Sequence, residues 1–412
     1  MRVLRPHFVG ILVLLTVLTS IVLGQEATPV ATPEPVQQVL TIWWPDLLAA
    51  PENTAVQDLI STQTADFTRD QVNVLVESRL KRVGTVGGIM STLRTGSLVA
   101  EGAMPALTLI RRQDLVTAER SGLLQSMEGM IPSSIQGDLD TALQLGQIDG
   151  ELYGLPYLLD LELLVYHAGG NHDYTTSTFE NFLEHPAPVA FPVGNDSGLS
   201  DTLLLQYLVG GGSVSADTGL NLDETALRTL IEFYAQAKDR GVIGDELLNY
   251  TTANDYRTAF LDGDYVAGTF TSTQYLEMVE NDSQLGVSTI PTLTGQSTGI
   301  LNGWMWVLIA SESDQQALAL EYIRWMMNST RQTEIAKAIH MLPSQQSALE
   351  MDLADDVNSE SIMALLDDPI LPITESTSSN LARSLHTAVA SILRGERNAE
   401  EAIQYVLSQQ SN

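Results

Sequence analysis

The pattern of apolar and polar residues predicts short strands that alternate with amphipathic helices. In the first part of the chain, apolar runs typical of strands lie at 39–44, 71–77 and 106–110. Apolar residues at helical spacing fill the segments between them, at 54–67 and 87–101. Strands that alternate with helices in this order favour a largely parallel sheet covered by helices. The predicted fold class is therefore α/β.

The rest of the chain continues this alternation with a larger share of helix. Further strands are predicted at 152–167 (interrupted at Pro156), 188–192, 264–270, 284–291 and 304–311. Further helices are predicted at 177–183, 199–209, 224–240, 253–261, 274–280, 314–328 and 331–338. No internal repeat of fixed period interrupts the pattern, which argues against a repeat architecture.

The amino terminus has a pattern typical of export. Arg2 and Arg5 precede a mostly apolar run, so residues 1–24 are predicted to be a signal peptide or an uncleaved signal anchor. Residues 25–38, rich in Pro, Thr and Ala, are predicted to form an extended linker. With either leader, we expect the folded body outside the cytoplasm, secreted or tethered to the outer face of the cell membrane.

Composition and charge narrow the functional classes. The chain of 412 residues is longer than a single hydrophobic core usually supports, which suggests more than one domain. With 20 Lys+Arg against 51 Asp+Glu, the formal net charge is -31, which repels nucleic acid and anionic lipid. The chain has no Cys, which excludes disulfides, thiolate catalysis and Cys-ligated zinc.

Most of the sequence motifs typical of enzymes are absent. The chain contains no H-E-x-x-H, Walker A or G-x-G-x-x-G pattern, so we expect no catalytic residues, no resident metal and no cofactor. Asp160 and Glu162 could in principle serve a glycosidase as acid and base. We expect the two side chains to point to opposite faces of their strand, which argues against a shared site.

Five segments are informative when they are taken together and in order: GAMPALTLIRRQDLVTAERSGLL (102–124), IDGELYGLPYLLDLELLVYH (148–167), AFLDGDYVAGTF (259–270), GVSTIPTLTG (286–295), and ALALEYIRWMMN (317–328) followed by LPS (342–344). They resemble segments of the sugar-binding proteins of ABC importers, the group of extracellular solute-binding proteins typified by maltose-binding protein. Each segment alone is weakly specific, but together they span nearly all of residues 39–412.

The resemblance implies a two-lobe binding protein with a hinge. One lobe would hold 39–155 and 292–341, and the other 156–291 and 342–412. A carbohydrate or related polyol would stabilise the closed form, which a membrane permease then receives. We expect a monomer. The alternatives are a surface receptor or scaffold without a transport partner, and an extracellular carbohydrate-active hydrolase.

A sugar site needs aromatic faces and oxygen acceptors for hydroxyl groups. The residues predicted to bind ligand supply these groups: Trp44, Asp46, Arg112, Tyr157, Asp160, Phe270 and Trp304. Asp46 lies at the carboxyl end of the first strand, where parallel sheets place ligands. Asp160 is a charge within an apolar strand and needs a partner. The resemblance implies that Phe270 stacks on sugar, although a core role is the alternative.

Several positions depart from the family's pattern. Pro105-Ala106 stands where the family commonly has Pro-Asp, and Tyr166-His167 stands where it has Tyr-Asn. Arg112 could bind an anionic ligand, although a surface ion pair with Glu119 or another acid is the simpler expectation. The contact set for maltodextrin is therefore not retained, and the resemblance does not specify the ligand.

Overall fold

The structure is a computed structural model, and it describes most of the chain beyond the amino-terminal segment. The described residues are 37–49, 53–69, 71, 73–84, 86–99, 104–169, 174, 177–194, 198–215, 219–282, 284–371 and 379–410. The predicted leader lies outside these residues, as does the predicted linker up to residue 36. Residues 38–412 belong to one compact unit.

The strands form one large sheet and two short ribbons. They are β1 (Gln38–Pro45), β2 (Val74–Lys81), β3 (Leu107–Arg111), β4 (Gln147–Ile148), β5 (Glu151–Leu152), β6 (Gly154–His167), β7 (Val189–Ala190), β8 (Ser213–Ser215), β9 (Gly219–Asn221), β10 (Ala267–Thr271), β11 (Leu285–Ser288), β12 (Leu301–Leu308) and β13 (Leu342–Pro343). The strand order in the nine-stranded sheet is β2-β1-β3-β12-β6-β10-β7, and β11 and β13 also pair with β6.

Helices connect and cover these strands. They are α1 (Thr54–Arg69), α2 (Ile89–Val99), α3 (Arg112–Arg120), α4 (Ser133–Gln136), α5 (Phe179–Glu184), α6 (Asp201–Val209), α7 (Glu224–Asp239), α8 (Arg257–Leu261), α9 (Ser272–Val279), α10 (Ser313–Met326), α11 (Ser329–Ala338), α12 (Gln346–Asp352), α13 (Ser359–Leu366), α14 (Asn380–Leu393) and α15 (Ala399–Gln410). Within the described residues, no helix has both the length and the apolarity needed to cross a membrane.

The strand directions confirm the predicted α/β class. Strand β1 pairs in parallel with β2 and β3, and β12 is antiparallel to both β3 and β6. Strand β6 therefore runs in the same direction as the first three strands. Beyond β6, strands β7, β10 and β11 all run opposite to it and parallel to one another. Strands on each side of β6 are thus mostly parallel, as the alternating pattern predicts.

The long strand β6 changes partners along its length. Residues 154–161 pair with β12, and two of them also pair with β13. Residues 162–167 pair with β10 and β11. The change falls between Leu161 and Glu162, six residues after the lobe boundary predicted at 155. One continuous strand therefore joins two groups of strands, and this junction positions the candidate site.

Pro156 does not interrupt β6, although the sequence predicts a break there. The register against β12 shifts between Trp304 and Met305, opposite Leu158 and Pro156. A proline lacks the N–H that a regular ladder requires, and an irregularity of register accommodates it. The strand therefore extends through the proline.

Two of the strands whose ends differ from the apolar pattern show the physical reason for the difference. The strand predicted at 71–77 spans Val74–Lys81, because its register against Gln38–Pro45 of β1 fixes both of its ends. The strand predicted at 304–311 spans Leu301–Leu308, because it pairs with both β3 and β6. Hydrogen-bond partners, which lie far away in sequence, thus decide where each ladder begins and ends.

Candidate ligand-binding site

A cavity of about 400 Å³ lies where β6 changes partners. It is lined by residues of β6, β10 and β12, by the starts of α6 and α9, and by nearby loops. These residues are Asp160, Glu162, Pro192, Leu199, Ser200, Asp201, Thr251, Thr252, Ala253, Thr269, Phe270, Thr271, Gln274 and Asn302. The wall therefore combines three carboxylates with hydroxyl groups, two amides and a few apolar side chains.

Asp160 lies against the amino terminus of α9. Its Oδ1 accepts hydrogen bonds from Ser272 Oγ (3.2 Å), Thr273 N (3.1 Å) and Thr273 Oγ1 (2.9 Å). Burial raises the pKa of this carboxyl group, and the bonds from Thr273 oppose that rise. The positive end of the helix dipole also favours the charged form. All three hydrogen bonds are accepted by Oδ1, and Oδ2 takes part in none of them.

Glu162 has one satisfied oxygen and one unsatisfied oxygen. Its Oε1 accepts a hydrogen bond from Thr202 Oγ1 at 3.1 Å. Its Oε2 is buried and has no hydrogen-bond partner among the described residues. Burial, followed by the nearby charge of Asp201, raises the pKa of Glu162 well above its ordinary value. An acceptor of this kind is costly to leave unpaired, so it marks a place for a donor.

Asp201 supplies the third carboxylate of the cavity. It is the first residue of α6, directly after the helix cap formed by Ser200, whose Oγ accepts from Leu203 N. Burial raises the pKa of Asp201 as well. Among the described residues that line the cavity there is no Lys, Arg or His. The site is therefore rich in acceptors and carries no compensating cation.

The expectation that Asp160 and Glu162 point to opposite faces of β6 is wrong. Side chains two residues apart in a strand lie on the same face, because successive residues alternate. The structure places both carboxylates in the wall of one cavity. The argument from strand geometry against a shared site for this pair therefore fails.

Phe270 forms the aromatic part of the cavity wall. Its ring packs against Tyr256 and Phe260, with centroids 5.3 Å and 5.0 Å away, and the residue is only 1% exposed. The Tyr256 hydroxyl donates to the Thr269 carbonyl oxygen, which fixes this aromatic group beneath β10. Phe270 is therefore part of the hydrophobic core and also part of the cavity wall.

Three aromatic residues predicted to bind ligand lie elsewhere. The rings of Trp44 and Tyr157 pack against Trp306, with centroids 5.1 Å and 5.4 Å away, and both residues are buried in the core beneath α1 and α10. Trp304 is also buried, and the guanidinium carbon of Arg111 lies 4.8 Å from its ring centroid. None of these three residues lines the cavity, and packing in the core accounts for each.

The two remaining predicted residues have structural partners. Asp46 follows β1, and its Oδ1 accepts a hydrogen bond from Val83 N at 3.2 Å. Arg112 donates to the carbonyl oxygens of Leu145 (3.0 Å) and Gln147 (2.7 Å), and burial lowers the pKa of its guanidinium group. Arg112 therefore ties α3 to the end of the 3-10 helix Asp140–Gly146 and to the start of β4. Only Asp160 and Phe270 of the seven predicted residues line this cavity.

The sequence analysis missed Glu162 and Asp201 as site residues. The signal for Glu162 was its position two residues after Asp160 in an apolar strand. The signal for Asp201 was weaker, because Ser-Asp at a helix start usually means only capping. Within the described part of the chain, no three His, Cys, Asp or Glu side chains are grouped so as to hold a metal ion.

Comparison with known proteins identifies the family. Residues 35–364 match the family described as bacterial extracellular solute-binding protein, and the chain belongs to that family. A search of curated protein sequences found no match. The family's members are binding proteins and act outside the cytoplasm.

Solved structures share the fold. One is an extracellular solute-binding protein of family 1 from Alicyclobacillus acidocaldarius, with TM-score 0.69, 15% identity, and 92% and 98% of the two chains covered. Another is a cyclic α-maltosyl-1,6-maltose-binding protein from Arthrobacter globiformis, with TM-score 0.68, 16% identity, and 90% and 97% covered. A third is an ABC transporter solute-binding protein from Thermotoga lettingae bound to α-D-tagatose, with TM-score 0.62, 18% identity, and 91% and 99% covered.

Proposed function

We propose that the protein is the solute-binding component of an ABC importer and that it captures a carbohydrate or related small polar solute. The observation that carries the proposal is the acceptor-lined cavity at the point where β6 passes from one group of strands to the other. Proteins of similar fold bind maltosyl sugars and tagatose, and one of them is an ABC transporter solute-binding protein. The solute would then pass to a membrane permease.

Residues from both groups of strands reach the cavity. Asn302 lies on β12, directly opposite Asp160, whereas Phe270 and Thr271 lie on β10. A solute held between them gains its full set of contacts only when the two sides close around it. Binding then stabilises a closed form by the difference in affinity between the two forms.

The protein would bind its solute without changing it, as a monomer that is secreted or tethered to the outer face of the membrane. Two carboxylates in one cavity could in principle act as acid and base. A binding role is favoured because Asp160 Oδ1 already accepts three hydrogen bonds. Incubation of the protein with each solute that it binds, followed by chromatography, should return the solute intact.

Thermal unfolding in the presence of sugars, polyols and their amino derivatives tests the binding role. A solute at 100 times its dissociation constant stabilises the folded protein by about 2.7 kcal/mol. We expect one or more members of the panel to raise the unfolding temperature by several degrees. If no member does so, the proposed function is wrong.

Asp160→Asn tests the assigned site. The amide oxygen still accepts from α9, but the charge is lost, so we expect affinity to fall at least tenfold with little loss of stability. Calorimetry measures the affinity, and urea unfolding measures the stability. Glu232→Gln, on the exposed face of α7, is the matched control and should bind normally. Unchanged affinity in Asp160→Asn would remove Asp160 from the site.

A further inference from the structure

The cavity holds more acidic side chains than a neutral sugar requires. Three carboxylates line it, and the described lining residues include no cation. The amide and hydroxyl side chains of the wall, such as those of Asn302, Gln274 and Thr251, can form hydrogen bonds with the hydroxyl groups of a neutral sugar. An additional buried acceptor without a partner, Glu162 Oε2, raises the energy of the ligand-free protein.

Burial raises the pKa of all three carboxyl groups, and contacts on the protein side partly oppose that rise. Thr202 donates to Glu162 Oε1, and three donors of α9 converge on Asp160 Oδ1. Asp201 lies in the first turn of α6, where the helix dipole favours negative charge. Donors that approach a carboxyl group from the protein side stabilise its ionised form. Because the described lining residues include no cation, a positively charged solute is the group that would offset the effect of burial and favour the ionised carboxylates.

We infer that the cavity is built for a solute that carries a protonated amine, such as an amino sugar or amino polyol, with the ammonium group against Glu162 Oε2 and Asp201. This inference rests on the proposed solute-binding function and specifies its ligand class. An ammonium group has three donors and one positive charge. It satisfies the unpaired Glu162 oxygen and offsets the charge of Asp201. The hydroxyl groups of the solute would form hydrogen bonds with the amide and hydroxyl side chains that line the rest of the cavity.

Calorimetry with matched sets of solutes tests the inference on the purified full chain. Each set contains a neutral parent, its amine and its uncharged N-acetyl derivative: glucose, glucosamine and N-acetylglucosamine, then the corresponding galactose set. Sorbitol and glucamine form an open-chain pair. We expect at least one amine to bind tenfold or more tightly than both its neutral parent and, where there is one, its N-acetyl derivative. High salt should reduce this preference, because it screens charge.

Variants assign the preference to the carboxylates. Glu162→Gln keeps the shape of the side chain and removes its charge, so the amine should retain less than a threefold preference over its parent. Asp201→Asn should reduce the preference as well, and it serves as the second variant if Glu162→Gln does not fold. Glu232→Gln makes the same chemical change on an exposed helix face and should retain the full preference.

The outcomes separate the inference from the proposed function. Neutral solutes that bind as tightly as their amines, or more tightly, overturn the inference and leave the proposed function intact. A preference for amines that survives in both Glu162→Gln and Asp201→Asn also overturns it. If neither neutral nor amino solutes bind, the proposed function fails and the inference fails with it.

Discussion

At the scale of single residues, the alternation of side chains along a strand decides the chemistry of the cavity. Asp160 and Glu162 share one face of β6, and Asp201 approaches from the start of α6. Their proximity raises the pKa of Glu162 further than burial alone would. A group whose charged form is disfavoured in the folded protein makes folding depend on pH.

Glu162 should lower the stability of the ligand-free protein as pH rises. Its pKa is raised in the folded state, so its stabilising contribution is complete below its ordinary value of 4.5 and is lost as pH rises through the folded value. Glu162→Gln removes this contribution. Between pH 4 and pH 8 the free energy of unfolding should fall less in the variant than in the natural protein.

Urea unfolding of both proteins at pH 4, 6 and 8 measures this difference. At pH 8 we expect Glu162→Gln to be more stable by on the order of 1 kcal/mol, since the substitution removes a negative charge that burial disfavours. Asp160 and Asp201 remain in the variant, so its free energy of unfolding should still depend on pH to some extent. Glu232→Gln is the control for the loss of one acid. Parallel curves for the natural protein and Glu162→Gln would contradict the assignment.

At the scale of elements, β6 needs close neighbours on both sides. Gly303 lies on β12 opposite Leu159, and a Cβ atom at Gly303 would lie 2.5 Å from the Leu158 carbonyl oxygen. The obstacle is backbone and cannot move aside cheaply. Glycine at this position therefore permits the close approach of the two strands next to the cavity.

Gly303→Ala should destabilise the protein by about 1–3 kcal/mol, which is typical of overpacking. Gly84→Ala is the matched control, because a Cβ atom at Gly84 would meet nothing within 4 Å and should change stability little. Urea unfolding measures both variants. Equal stability of the two would show that β6 and β12 can separate without cost.

At the scale of the whole molecule, we predict motion between the two groups of strands that β6 joins. The lobe boundaries predicted from the resemblance remain a prediction, and the change of partners at Leu161 and Glu162 suggests a hinge slightly later in the chain. A solute that contacts both sides should favour a closed form.

Small-angle X-ray scattering should therefore show a smaller radius of gyration with bound solute than without it. The same chain is compared in both states, so the amino-terminal segment contributes equally to each. The expected change should follow the solute concentration with the dissociation constant found by calorimetry. An identical profile with saturating solute would contradict hinge closure.

The local pattern of residues was sufficient to predict most of the longer strands and helices and the α/β class, because alternation and helical spacing depend on near neighbours. The solute-binding family was predicted from the resemblance of five segments to known sugar-binding proteins. Asp160 was predicted because a charge in an apolar strand needs a partner. The structure places Trp44, Tyr157 and Trp304 in the core, outside this cavity. The sequence does not separate these two cases, since a buried aromatic and a ligand-binding aromatic have the same sequence signal. Only the tertiary structure decided that Glu162 and Asp201 meet in one cavity, because they reach it from a strand and a helix whose relative placement is fixed by packing.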